Sequence, residues 1–152
     1  MNSNRTVMLI DDSAIDNFIS SKTIQQTGFA NNILVYENGQ IALNYLKACG
    51  RKNISICPVP DLILLDLNMP VMNGDEFLRE FSKLSKEIRE KSIIIVLTST
   101  ANPANLMLSI KNPFVKSFLS KPLIPKNIED LILEFFSEEN SQSIIKEITL
   151  CV

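Results

Sequence analysis

Carboxylate, hydroxyl and amine side chains stand at the ends of four apolar segments of this chain, and they are the side chains that could do chemistry. Asp11 and Asp12 follow the first segment, and Asp66 follows a later one. Three carboxylates at one site repel one another unless a cation joins them, and their hard oxygen atoms favour Mg²⁺ or Mn²⁺ over zinc. Beside such a cation a carboxylate can form an aspartyl phosphate. Two further segments end near Thr98, a hydroxyl donor, and Lys121, a positive charge for phosphoryl oxygens.

The chain contains no histidine, and this narrows the chemistry that it can carry. Ser-His and Cys-His catalysis, His-ligated zinc and a phosphohistidine on this chain are excluded. Carboxylates, hydroxyls and lysine remain. Positioning and charge neutralisation by such groups are most of what phosphoryl transfer requires.

Length and composition predict one globular domain. The 152 residues are 45% hydrophobic and 21% charged, and the net charge is −2 without a long basic run. Neither nucleic acid nor a membrane surface is therefore indicated as a partner. Because the sequence shows no signal peptide and no apolar run of roughly 20 residues, we expect a cytoplasmic protein. Cys49, Cys57 and Cys151 have no metal-ligand spacing, and we expect unpaired thiols in a reducing compartment.

The elements that must position these side chains alternate between strand and helix patterns. Helical patterns follow Ser13, Asn38, Asn73 and Asn102, and a last one starts at Pro125. The apolar spacing predicts that the first helix buries Ile15, Phe18 and Ile19, and that one helix after Asn73 carries Phe77, Leu78, Phe81 and Leu84. This alternation predicts a parallel sheet covered by helices on both faces, with the carboxyl ends of all strands along one rim. The predicted strands are residues 6–10, 33–36, 62–65, 92–97 and 115–119.

Four motifs at these strand ends resemble the receiver domain of two-component response regulators. The resemblance covers about residues 6–136 and implies a flavodoxin-like, doubly wound sheet of strand order 2-1-3-4-5. The motifs are Asp11-Asp12, the run LILLDLNMPVMNG at residues 62–74, Leu97-Thr98-Ser99, and FLSKP at residues 118–122.

The resemblance also implies roles for the acidic residues. Asp66 resembles the phospho-acceptor, which receives its phosphoryl group from a partner's phosphohistidine. Asp12 resembles a direct Mg²⁺ ligand and Asp11 a ligand through water. Asn68 resembles the residue that offers its backbone carbonyl to the metal. The sequence therefore predicts a magnesium site around the acceptor.

Three residues resemble the switch of the family. Thr98 matches the hydroxyl that moves onto the phosphoryl group, and Lys121 matches the lysine paired with that group. The bond from Lys121 to Pro122 is cis in the family. Phe118 matches the aromatic residue that turns inward, although it lacks a tyrosine hydroxyl. Asp16 and Asn17, beside the acidic pair, are expected on a solvated helix face, and the alternative is a role near the metal.

We therefore predict a single-domain response regulator that a histidine kinase or histidine phosphotransfer protein phosphorylates with Mg²⁺. Residues 6–136 would form the receiver, with an extension at 1–5 and a tail at 137–152 too short for an output domain. Phosphorylation would switch a protein-binding face over about residues 106–136, and the chain would not be an enzyme toward a separate substrate. Whether it forms a homodimer is left open.

Other classes of function stay open at this point. One is a receiver-like binding module that works without phosphorylation, and another is an FMN-binding flavodoxin-like protein. A third is an aspartate-nucleophile phosphohydrolase of the haloacid-dehalogenase type. That motif requires a second Asp two residues after the nucleophile, where this chain has Asn68, and a cap domain for which there is no room.

Overall fold

The computed structural model describes residues 4–51, 57–99 and 111–137. In these residues five parallel strands form one sheet in the order β2-β1-β3-β4-β5. The predicted strand order 2-1-3-4-5 is confirmed. The strands are β1 (Thr6–Ile10), β2 (Asn32–Tyr36), β3 (Leu62–Leu65), β4 (Ile93–Thr98) and β5 (Val115–Ser120).

Helices connect the strands and cover the sheet. A π-helical turn, Ile132–Phe136, continues the last helix. Among the described residues, no helix combines the length and the apolar character that crossing a bilayer requires. The helix predicted after Asn102 and the tail after residue 137 lie outside the described residues. The described helices are α1 (Ala14–Thr27), α2 (Gly39–Arg51), α3 (Gly74–Phe81), α4 (Lys86–Lys91) and α5 (Pro125–Leu131).

The two middle strands, β1 and β3, carry the core, and every residue in them is buried. Because successive side chains of a strand point to opposite faces, Met8 and Ile10 join one hydrophobic cluster while Val7 and Leu9 join the other. The first cluster includes side chains of α2 and α3, and the second includes side chains of α1 and α5. Packing on both faces fixes the positions at which these two strands end.

Caps set the first turns of the helices that follow β1 and β3. The Ser13 hydroxyl accepts a hydrogen bond from the backbone N–H of Asp16 at 3.2 Å, and α1 ends at Gly28 with φ 66°. At α3 the Asn73 side chain accepts from the backbone N–H of Glu76 at 2.9 Å, and the Glu76 carboxylate accepts from the Asn73 N–H at 3.0 Å. Both acidic strand ends are therefore followed by short, well-defined connections.

The buried side of α1 differs from the prediction. The helical spacing of Ile15, Phe18 and Ile19 predicted that these residues face the core, but they are exposed by 73%, 62% and 36%. A polar side chain can face the core when its hydrogen bonds are satisfied, and the hydroxyl of Thr23 donates to the Leu123 carbonyl at 3.1 Å. The residues of α1 that are buried are Asn17, Ser20, Thr23 and Ile24.

The segment after α3 also differs from the prediction. Phe77, Leu78, Phe81 and Leu84 were expected on one helix, but α3 ends at Phe81 and a separate short helix α4 begins at Lys86. Leu84 is nevertheless buried in the core cluster below α3. The sequence pattern of α4 is weak because only one of its six residues is buried.

The expectation of unpaired cysteines is wrong for two of the three. Cys49, in α2, and Cys57, ahead of β3, form a disulfide with a Cα–Cα distance of 5.3 Å. Cys49 is fully buried, and Cys57 packs against the same hydrophobic cluster. A spacing of eight residues carries no metal or redox motif, and only the return of the chain from α2 to β3 brings the two thiols together. Cys151 lies outside the described residues.

We predict that Cys57→Ser lowers the free energy of unfolding under non-reducing conditions by about 2 kcal/mol, because the disulfide restricts the unfolded chain over a short loop. Urea denaturation with and without a phosphine reductant measures this. The reductant should lower the stability of the wild type to that of the variant and leave the variant unchanged. Cys151→Ser is the matched control and should behave as the wild type. Equal stability of wild type and Cys57→Ser without reductant would contradict the disulfide.

Candidate functional site

Three carboxylates meet at the carboxyl edge of the sheet. Asp11 and Asp12 follow β1, Asp66 follows the neighbouring strand β3, and one carboxylate oxygen of each lies within 4.8 Å of the other two. Asp11 and Asp66 are each 5% exposed, whereas Asp12 is exposed. The backbone N–H of Asp66 donates to the Ile10 carbonyl at 2.9 Å and thereby ties the two strand ends together. The cluster is thus a preformed set of oxygen donors with one open side.

The ammonium of Lys121 lies against this cluster. Its Nζ is 2.5 Å from Asp11 Oδ2, 3.0 Å from Asp16 Oδ2 and 3.7 Å from Asp66 Oδ2. The backbone N–H of Lys121 donates to the Thr98 carbonyl at 2.9 Å, and the bond from Lys121 to Pro122 is cis, as the resemblance implied. One positive charge therefore neutralises part of a strongly negative site.

The expectation that Asp16 and Asn17 lie on a solvated face is wrong. The carboxylate of Asp16 bonds Lys121, and Asn17 is buried, with its Nδ2 donating to the Asp11 carbonyl at 2.8 Å. Sequence reasoning favours the solvated face over the alternative role near the metal because the apolar residues of α1 indicate that the opposite face is buried. The signal that could have revealed them is the second, polar stripe of this helix, which continues through Ser20 and Thr23.

Burial raises the pKa of the Asp66 carboxyl from 3.8 to about 6. The ammonium of Lys121 lowers this pKa, Asp11 raises it, a hydrogen bond from the Asn68 N–H lowers it, and Asp12 raises it. That N–H lies 3.4 Å from Asp66 Oδ1. At neutral pH Asp66 is therefore an ionised but poorly stabilised carboxylate, and a cation that joins the cluster would lower its free energy.

The carboxylates around Lys121 stabilise its positive charge. Burial by itself lowers the pKa of Lys121, but hydrogen bonds to Asp11 and Asp16 and the nearby charge of Asp66 raise it above the ordinary 10.5. The ammonium is therefore protonated throughout the physiological range, and Lys121 is available as a fixed cation and not as a base.

The other predicted residues lie on the neighbouring strands. Thr98 is the last residue of β4, pairs with Ser120 and is buried. Phe118 pairs with Val96 on β5 and is partly exposed. Within the part of the chain that the structure describes, Phe118 is not among the hydrophobic side chains packed against either core cluster. Asn68 is exposed in the loop after Asp66. Thr98 thus ends the strand next to the one that leads to Asp66, and Phe118 lies one strand further out.

The loop after Asp66 returns tightly to the start of α3. The N–H of Gly74 donates to the Leu67 carbonyl at 2.9 Å. A Cβ atom on Gly74 would lie 2.7 Å from Leu67 Cα and 2.9 Å from the Asp66 carbonyl oxygen. Val71, at the exposed tip of the loop, has φ 72°, a left-handed conformation that a β-branched residue rarely adopts. The loop is therefore held in a specific shape directly beside the cluster.

Comparison with known proteins identifies the family. Residues 7–133 match the profile of the response regulator receiver domain, and the chain belongs to this family. It is 28% identical over 127 residues to the response regulator Rcp1 of Synechocystis, covering 84% of this chain and 81% of that protein. A two-component response regulator from Cytophaga hutchinsonii superposes with a TM-score of 0.75 at 28% identity, over 86% of this chain and 95% of the other.

A further solved structure resembles the chain in fold. The receiver domain of the histidine kinase CKI1 from Arabidopsis thaliana, determined in complex with Mg²⁺, superposes with a TM-score of 0.71 at 21% identity. The superposition covers 86% of this chain and 91% of that one. At this identity the likeness concerns the fold alone.

Exposed apolar side chains form a patch beside the cluster, which we call the α1 patch: Ile15, Phe18 and Ile19 of α1 and Val35 of β2. Val35 is 46% exposed, and a shallow hollow separates it from Phe18. The Nζ of Lys22 lies 5.6 Å from the centre of the Phe18 ring. The α1 patch is thus carried by β2 and by the helix that begins two residues after Asp12.

Proposed function

We propose that Asp66 is the phospho-acceptor of this receiver domain and that it takes a phosphoryl group from the phosphohistidine of a histidine kinase or histidine phosphotransfer protein. The observation that carries the proposal is the set of three carboxylates, within 4.8 Å of one another, that shares the ammonium of Lys121 at the end of two adjacent strands. The pKa of Asp66 is raised by burial, and Asp66 stands at the end of β3, the central strand of the sheet.

The donor set fits Mg²⁺. Carboxylate oxygens and a backbone carbonyl are the hard ligands that this ion binds, and the exposed Asp12 leaves an open side where it keeps its waters. Asp11, Asp12, Asp66 and the backbone carbonyl of Asn68 would hold the ion. When bound, Mg²⁺ offsets the negative charge of the cluster and of the incoming phosphoryl oxygens.

Asp66, Lys121 and Thr98 have different roles in the proposed phosphoryl transfer. A carboxylate oxygen of Asp66 attacks phosphorus, a P–O bond forms, and the P–N bond breaks as its electron pair leaves with the imidazole of the donor. Lys121 contributes a positive charge to the phosphoryl oxygens, and the Thr98 hydroxyl donates to them from β4. Dephosphorylation by hydrolysis would require water to attack phosphorus, so that the P–O bond to Asp66 breaks, inorganic phosphate leaves and the Asp66 carboxylate is regenerated. We propose no enzymatic activity toward a separate substrate.

The test is incubation of the full chain with acetyl phosphate and Mg²⁺, followed by intact-mass measurement. We expect a mass gain of one phosphate that disappears in Asp66→Asn and when EDTA replaces Mg²⁺. Asp75→Asn, which changes a carboxylate in the first turn of α3, is the matched control and should retain the gain. A wild type without gain, or a gain that survives Asp66→Asn, would overturn the assignment.

The α1 patch supports the proposal that the phosphodonor is a protein. Exposed large apolar residues beside a polar site mark surfaces that partners cover, and Phe18 is 62% exposed at the centre of this one. A donor helix seated on the patch would bring its phosphohistidine over the open side of the cluster. The interaction would be apolar in its centre and polar at its rim.

We predict that Phe18→Ser slows phosphotransfer from protein donors roughly tenfold, the effect of losing about 1.4 kcal/mol of docking energy. The measurement uses a panel of autophosphorylated histidine kinases and scores those that phosphorylate the wild type. Labelling by acetyl phosphate should be unchanged because that donor needs no docking surface. Ile41→Ser, a matched change of an apolar residue of α2 that is 51% exposed and lies outside both the α1 patch and the 106–136 face, should leave both rates unchanged. Equal slowing of both donors would contradict the docking role.

We further propose that phosphorylation switches a protein-binding face on the β5 side of the molecule. Thr98 and Phe118 would move toward the phosphoryl group, and the partial exposure of Phe118 would decrease as its ring turns inward. Within the expected span of 106–136, the described part of this face is β5 and α5, and residues 106–110 lie outside the described residues. The receiver unit in this proposal is residues 6–136.

A further inference from the structure

The ammonium of Lys121 is held from two sides by different elements of the fold. Asp11, at the end of β1, accepts at 2.5 Å, and Asp16, in the first turn of α1, accepts at 3.0 Å, whereas Asp66 lies 3.7 Å away. The Lys121 side chain is 9% exposed, so it has few water molecules to replace a lost carboxylate partner. Two anchors therefore fix the position of this charge relative to Asp66.

The two anchors differ in one respect that matters for the proposed function. Asp11 belongs to the group of carboxylates able to hold a cation, and Asp16 does not. A cation that uses Asp11 competes with Lys121 for the same carboxylate, of which Oδ1 already accepts from the Ser13 N–H at 2.9 Å. The second anchor remains available because Asp16 stands on α1, outside the cation group.

The turn that carries Asp16 is itself fixed. The Asp16 N–H donates to the cap hydroxyl of Ser13 at 3.2 Å, and the side chain of the next residue, Asn17, donates to the Asp11 carbonyl at 2.8 Å. The carboxylate of Asp16 is therefore held at a constant place beside the cluster while its side chain remains 32% exposed.

We propose that Asp16 is a positioning residue that retains the Lys121 ammonium at the edge of the cluster when a divalent cation takes over Asp11. The lysine then stays within reach of Asp66 without occupying the cation site. The use of this arrangement in phosphoryl transfer rests on the proposed function. The coupling itself is between Asp16 and cation binding, and it acts through Lys121. None of the motifs in the sequence marks Asp16 for such a role.

The first test is a double-mutant cycle on Mg²⁺ affinity, measured by calorimetry on the full chain. In Asp16→Asn the ammonium has no second anchor and competes harder for Asp11, so we expect roughly tenfold weaker Mg²⁺ binding, an energy of about 1.4 kcal/mol. In the Lys121→Met background, Asp16→Asn should change the affinity less than twofold. A tenfold loss in both backgrounds would mean that Asp16 acts directly on the ion by its charge, and would overturn the proposal. Undiminished affinity in Asp16→Asn alone would overturn it as well.

The second test detects the Lys121 ammonium directly by NMR spectroscopy. With ¹⁵N-labelled lysine, the protected ammonium signal that is absent from Lys121→Met should persist in the wild type when Mg²⁺ is added, should be lost in Asp16→Asn, and should return in Asp16→Glu. Circular dichroism melting verifies that each variant is folded. A signal that survives Mg²⁺ in Asp16→Asn would contradict the second anchor.

Neither measurement requires phosphorylation, so the two proposals can fail separately. If acetyl phosphate labels Asp66 but the cycle shows no coupling through Lys121, the phospho-acceptor stands and the role of Asp16 falls. If the coupling is found and Asp66 is not labelled, Asp16 positions the lysine of a cation site that has another use.

Discussion

Replacing Gly74 with alanine is expected to lower the free energy of unfolding by about 3 kcal/mol, at the upper end of the cost of overpacking. The added Cβ would lie 2.7 Å from both Leu67 Cα and Leu67 Cδ2, and 2.9 Å from the Asp66 carbonyl oxygen. Two of these three neighbours are backbone atoms, which cannot move unless the loop after Asp66 shifts. The start of α3 would be pushed away from β3, and the hydrogen bond from the Gly74 N–H to the Leu67 carbonyl would be strained.

Gly39→Ala is the matched control, because Gly39 is likewise the first residue of a helix. Its nearest neighbours are Met72 Cγ at 3.2 Å and the Met72 carbonyl oxygen at 3.3 Å, contacts that a small shift relieves, and we expect a change within about 1 kcal/mol. Urea denaturation compares the two, and Mg²⁺ calorimetry reads the effect on the cluster. A Gly74→Ala variant as stable as Gly39→Ala would show that the loop adapts to a side chain that the described geometry excludes.

Asp66→Asn should stabilise the protein in the absence of Mg²⁺. The native pKa of Asp66 is about 6 against 3.8 for the unperturbed carboxyl, so ionisation of Asp66 costs the native state about 3 kcal/mol above pH 6. An amide does not ionise and can still accept the hydrogen bond from the Asn68 N–H. We expect a gain of about 2 to 3 kcal/mol at pH 8 in low salt.

The sign of the pH dependence follows from the raised pKa. Between pH 3.8 and about 6 the native state binds more protons than the unfolded chain, so the stability of the wild type falls as pH rises through this window and levels off above it. The advantage of Asp66→Asn should therefore be largest above pH 7 and shrink toward pH 4. Urea denaturation across this range measures it, with Asp130→Asn, an exposed carboxylate paired to Lys126, as the control. An advantage independent of pH would contradict the raised pKa.

Much of the fold follows from local sequence. The runs 6–10, 62–65 and 92–97 are apolar without alternation because their strands are covered on both faces, and each predicted boundary lies within one residue of the observed strand. The strand order was implied by the family resemblance and depends on packing that local pattern does not contain. Helix α4 escaped prediction because a helix with a single buried residue has no apolar stripe.

The candidate site, too, could be predicted only in part from local sequence. Asp11, Asp12 and Asp66 could be grouped from sequence because parallel strands bring their carboxyl ends to one edge. Asp16 could not be grouped with Lys121, because 105 residues separate them in the sequence. Their contact depends on which face of α1 is turned toward the sheet, that is, on the rotation of the helix about its own axis. That rotation is set by buried polar contacts such as Asn17 with Asp11, which hydrophobic periodicity does not report. The pairing of Cys49 with Cys57 could not be predicted from the sequence either, because it depends on where the segment between α2 and β3 places the two thiols.

The strand ends that carry the cluster have a consequence for hydrogen exchange. The amide of Asp11 donates to the Tyr36 carbonyl at 3.1 Å and that of Asp66 to the Ile10 carbonyl at 2.9 Å. Both bonds extend the ladders of the most buried strands, so these two amide hydrogens should exchange with solvent only when the whole domain opens. Lys121, by contrast, follows β5, the strand at the edge of the sheet with the most exposed residues. The backbone that carries Asp11 and Asp66 is therefore the most protected part of the site, and the amide hydrogens of the edge strand that leads to Lys121 should exchange sooner.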